Sequence, residues 1–140
     1  MPASPQTDLP SFGAEMAVIA LGGAIGAGMR FAVSLVIGTM NLHASLAAGS
    51  ANFIGSFLLG LIVGHIESGK AHPLLRPFLT IGVFGSFTTF SALALDNRGI
   101  AIDVGEVLAA THLAGSVLLG LAAFALGDAI SERARERGRR

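Results

Sequence analysis

The chain has 140 residues, with nine basic and nine acidic side chains, a formal net charge of zero and no cysteine. Hydrophobic residues make up 52% and charged residues 13%, too apolar for a soluble domain of this size that must solvate its surface. Charge balance thus argues against a nucleic-acid partner, composition excludes disulfides and thiolate metal sites, and the chain reads as one integral membrane domain.

The first eleven residues, MPASPQTDLPS, hold three prolines and read as part of a disordered lead over residues 1–13. They contain no Lys or Arg ahead of the first apolar run, which argues against a cleaved signal peptide. A membrane-spanning helix needs about 20 apolar residues. Four runs meet that length, at about 15–38, 42–66, 74–95 and 106–127. Together they predict an all-α, four-helix membrane domain over residues 14–127, with a charged tail at 128–140. Arg30 interrupts the first run. The second has no charge, the third is charge-free from Phe78 to Leu95, and His112 is the only ionisable group between Val107 and Leu126. Trp and Tyr are absent, so there is no ordinary interfacial aromatic belt.

An even number of spans puts both termini on one side. That side holds Lys70, Arg76, Arg133, Arg135, Arg137, Arg139 and Arg140, and the other holds Arg98. The positive-inside rule then places the termini in the cytoplasm. Five of those charges come from the tail. Small residues four apart, such as Gly22 with Gly26 and Ser56 with Gly60, suit close helix packing. Four thin helices enclose little interior, so a solute pathway is expected between subunits of an oligomer.

Polar groups at membrane depth are costly and tend to serve function. Asn52 lies well inside the second span and offers either an interhelical hydrogen bond or a ligand contact. Arg30 either snorkels to an interface or supplies positive potential to an anion. His112 and Ser116 share one face of the fourth helix. In the third span, Gly82 and Gly85 precede SFTTFS, and a helix break is predicted there. Irregular backbone in a membrane survives only when buried in protein or lining a cavity, and its carbonyls suit a small cation. His43, His65, His72 and His112 are scattered without metal-ligand spacing, and no carboxylate pair occupies a span. Nothing marks an enzyme. Donors without acidic groups favour a passive anion pathway.

Three stretches, GGAIGAGMRF (residues 22–31), NFIGSFLLG (52–60) and GVFGSFTTFSALALD (82–96), resemble the Fluc/CrcB family of fluoride channels, in order and spacing across all four spans. The resemblance implies a multi-pass protein of the inner (plasma) membrane, forming an antiparallel, dual-topology dimer with fluoride pores at the subunit interface. It implies a broken third helix whose Gly85 and Thr88 carbonyls hold a structural, untransported Na⁺. It places Asn52, Thr89, Phe90, Ser91, Ser116, His112 and Leu93 along the fluoride path, and Arg30 and Asp96 as charged groups near its mouth. Fluoride would then leave the cytoplasm passively, relieving its toxicity.

The chain departs from the family pattern at three positions. Leu93 stands where a second Phe is usual, Ala48 where a Thr is usual, and His112 where a Tyr is usual. Two assemblies follow: a homodimer with a modified pore, or one subunit of a heterodimeric channel with a paralogous partner. A small multidrug-type transporter has the same helix count but needs a carboxylate in the first span, where this chain has Arg30. A non-transporting membrane scaffold is the remaining class.

Overall fold

In a computed structural model the described residues are 10–41, 45–67 and 72–138, without the side chains of Ser45, His65 and Glu67. Most of the proline-rich lead, the start of the second span at Leu42, the imidazoles of His43 and His65, Lys70, Arg139 and Arg140 lie outside that set.

Every described element is helical: α1 is Phe12–Thr39, α2 is Ser45–Glu67, α4 is Phe90–Asp103 and α5 is Glu106–Arg137. Between α2 and α4 lies α3, a π-helical run Pro77–Phe84 that tightens into one α-turn at Gly85–Phe87. Four helical units (α1, α2, α3 with α4, and α5) are long and apolar enough to cross a membrane. The chain is therefore a multi-pass, all-α membrane protein.

Three boundaries differ from the sequence expectation. The first helix begins at Phe12, inside the expected lead, because the Ser11 hydroxyl accepts from the Ala14 amide at 3.3 Å and caps the first turn. The third span runs on to Asp103, so most of the expected Asp96–Glu106 connection is helix. The turn to α5 takes only Val104 and Gly105, and Gly105 has φ 121°, which favours glycine. The charged tail extends α5 as helix as far as Arg137.

The helices pack as two tight pairs, α1 on α3 and α2 on α5, with α4 against α5. Lipid offers no hydrophobic drive between helices, so close backbone approach supplies the attraction. A side chain at Gly26 would run into the Val83 carbonyl of α3, and one at Gly60 into the Phe124 carbonyl of α5. At the end of α5, Arg135 Nη1 donates to the Gly64 carbonyl at 2.7 Å. This serves one of the last carbonyls of α2 with a cation, where the helix dipole favours one.

Candidate functional site

The third span is interrupted at Thr88 and Thr89, both extended, with ψ 152° and ψ 121°. Local chemistry explains both edges of the break. Before it, the Thr88 amide and hydroxyl both donate to the Phe84 carbonyl, at 3.0 and 2.8 Å. After it, the Thr89 hydroxyl accepts from the Ala92 amide at 3.2 Å and caps α4. The Ser91 hydroxyl lies 3.2 Å from that of Thr89. The break expected from Gly82, Gly85 and the hydroxyl run thus falls three residues after that α-turn begins, at the two threonines.

Asn52 of α2 reaches this break. Its Oδ1 accepts from the Thr89 amide at 2.7 Å, and its Nδ2 donates to the Thr89 carbonyl at 3.0 Å. These reciprocal bonds fix the orientation of the side-chain amide. One of its two N–H groups remains for another acceptor.

Two carbonyls are released as a result. In a continuous α-helix the Gly85 and Thr88 carbonyls would accept from the Thr89 and Ala92 amides, four residues on. The first amide is held by Asn52 and the second by the Thr89 hydroxyl. The two positions at which the family resemblance implies a cation are thus the two whose helix donors are diverted. Neutral carbonyl oxygens of this kind fit a hard cation such as Na⁺.

Among the described residues, three hollows adjoin the break or its partner Asn52. An open groove of about 370 Å³ is lined by Asn52, Thr88, Thr89, Phe90, Leu93 and Ser116, among others. A second, of about 420 Å³, lies across Asn52 and Ser116 and includes Ser50 and His112. Asn52 and Ser116 are therefore a shared wall between the two. The third, of about 120 Å³, is lined by Arg30, Ser34, Ala48, Thr89 and Asp96.

Most of the residues singled out from sequence therefore meet around one break. Ser91 lines none of these hollows and acts on Thr89. Asp96, expected near a mouth at the end of the third span, sits inside α4 and shares its small hollow with Arg30. The Arg30 Nε is buried without a hydrogen-bond partner. Phe90 is 68% exposed, so its ring projects from the subunit, whereas Leu93 is 3% exposed and closes the inner wall. His112 Nδ1 pairs with Asn97 Oδ1 at 3.4 Å, tying α5 to α4.

Sequence reasoning missed Asn97, because it was read as part of a connection. It also missed Gly55, taken only as part of a motif. A Cβ there would lie 2.6 Å from Thr88 Cγ2 and 2.9 Å from Phe87 Cδ1, so α2 approaches the break through that glycine.

Residues 17–128 match the family described as CrcB-like protein, Camphor Resistance (CrcB). A fluoride-specific ion channel of Idiomarina loihiensis is 40% identical over 107 residues, covering 75% of this chain and 82% of its own. One from Nocardia farcinica is 37% identical over 129 residues, covering 91% of each. One from Paracoccus denitrificans is 39% identical over 111 residues, covering 78% of this chain and 87% of its own. With the family match running through all four spans and these relatives covering most of both chains, the chain belongs to the CrcB family.

Proposed function

We propose that the chain is one subunit of a fluoride-selective channel in the cell's inner membrane, through which fluoride leaves the cytoplasm passively. The names of its relatives support the ion. The observation that carries the geometry is the shared wall of Asn52 and Ser116 between two open grooves, the first of them lined by the break itself.

Fluoride is small and strongly hydrated, so a pathway must replace its water with donors. The spare N–H of Asn52 and the hydroxyls of Ser116 and Thr89 are such donors. The Phe90 ring carries positive charge on its edge and projects outward, where a second subunit would complete the path. Leu93 and His112 continue the groove walls. Arg30 contributes positive charge from its hollow, and Asp96 beside it limits how far that charge draws anions in.

The Gly85 and Thr88 carbonyls would hold a structural Na⁺, jointly with those of an antiparallel second copy. When bound, the ion supplies a fixed positive charge at mid-membrane. A membrane potential of about 100 mV contributes about 2.3 kcal/mol per charge moved, enough to drive export without a pump.

Purified chain reconstituted alone into liposomes loaded with potassium fluoride, with valinomycin present, tests this reading. Fluoride efflux with chloride retained is the expected result. Equal release of both anions would rule out selectivity.

A second assembly is favoured by one observation: Leu93 is buried, so this chain presents a single outward ring at the break. A paralogous subunit would then supply the missing pore groups. Efflux that appears only on co-reconstitution with such a subunit would establish that assembly and exclude the homodimer.

A further inference from the structure

We infer that Asn52 is a positioning residue for the helix break: it takes the Thr89 amide out of the helix ladder and so releases the Gly85 carbonyl, and it holds the Thr89 carbonyl with its own N–H, while Gly55, one turn on, leaves room for Thr88. The inference deepens the proposed function and rests on its reading that these carbonyls hold Na⁺.

Backbone groups at membrane depth need partners, and each one lost is costly. The Thr89 amide has two possible acceptors within reach of its chain position, the Gly85 carbonyl in a continuous helix and the Asn52 Oδ1 in the broken one. It takes the second, at 2.7 Å. The Thr89 carbonyl is served by the other half of the same amide, at 3.0 Å. An asparagine matches this need because it sets one donor and one acceptor side by side. Aspartate has two acceptors, and alanine has neither. Without Asn52, the least costly rearrangement returns the Thr89 amide to Gly85, which closes the break and occupies the carbonyl.

Gly55 acts on the same segment from the same helix. Adding a Cβ there forces Thr88 Cγ2, 2.6 Å away, to move. Thr88 is held by two bonds to the Phe84 carbonyl, so its displacement also moves its own carbonyl.

A residue that merely lined the ion path would alter conduction and leave cation binding untouched. Sodium dependence of thermal unfolding separates the two roles. The full chain in detergent is melted by far-UV circular dichroism in sodium chloride and in N-methylglucamine chloride, and titrated with sodium. The wild-type chain is expected to melt higher in sodium. Asn52→Ala and Gly55→Ala are expected to need roughly tenfold more sodium or more for the same rise, the scale of one lost hydrogen bond. Ser116→Ala, on the groove wall, is expected to keep the wild-type titration. Asn52→Ala with an unchanged sodium titration would overturn the inference. A wild-type chain indifferent to sodium would instead overturn the Na⁺ reading, and this inference with it.

If Asn52→Ala does not fold, hydrogen exchange on the wild-type chain decides. The Thr89 amide is expected to be as protected as the interior of α4, and fast exchange there would overturn the inference.

Discussion

Phe87 and Phe90 stand on opposite sides of one break and face opposite ways: Phe87 is 2% exposed inside the subunit, and Phe90 is 68% exposed outside it. In an uninterrupted helix, residues three apart share a face. The two extended residues between them turn the second ring outward. Phe87→Ala is expected to lower thermal stability in detergent by about 3 kcal/mol, mainly through the cavity it leaves. Phe90→Ile is expected to leave the melting temperature unchanged and to lower fluoride efflux more than roughly tenfold, since an alkyl group lacks the polarised ring edge. Melting curves and efflux from the same preparations check both.

Leu93→Phe restores the usual aromatic but places it in a position only 3% exposed. Overpacking of this kind costs about 1 to 3 kcal/mol. The variant is expected to melt lower and to gain no efflux over wild type. Increased efflux at unchanged stability would show that the position opens to the ion path in the assembled channel.

Arg135 ties the far end of α5 to α2 through the Gly64 carbonyl. Its own Nε is buried without a partner, so removing the side chain also relieves a cost. Arg135→Ala is expected to lose about 1 kcal/mol net, read as a lower melting temperature. Efflux at room temperature is expected to stay at the wild-type level, because this contact is remote from the break.

Gly60 and Gly115 make a matched pair of tests. A Cβ at Gly60 meets the Phe124 carbonyl, while one at Gly115 meets nothing within 4 Å. Gly60→Ala is expected to separate α2 from α5 and to abolish folded protein by size-exclusion chromatography. Gly115→Ala is expected to raise stability by up to about 1 kcal/mol, the helix-propensity gain of alanine over glycine. Loss of stability at Gly115 would mark that face as covered by another subunit.

The four spans were legible because membrane thickness fixes their length and their composition stands out from everything around them. The ends were less so, since Ser11 capping and the helical stretch after Asp96 depend on local hydrogen bonds that hydropathy does not register. At the site, Gly82, Gly85 and the hydroxyl run signalled a break, yet its position depends on Asn52, 37 residues earlier in the chain. The polarity of Asn52 was visible, but its partner was not. The opposite exposure of Phe87 and Phe90 likewise follows from the two extended residues, Thr88 and Thr89, that stand between them. The wide π-helical turns of Pro77–Phe84 had no sequence signal beyond Pro77 at their start.

The bonds between Asn52 and Thr89 also make the shape of the third span depend on its neighbour. A segment with unpaired backbone groups is poorly tolerated in lipid, so the third span gains by crossing as an unbroken rod. Only when α2 lies alongside can Thr89 exchange one partner for another. The kink therefore draws on two helices at once, and its geometry is a property of the docked pair rather than of the third span alone.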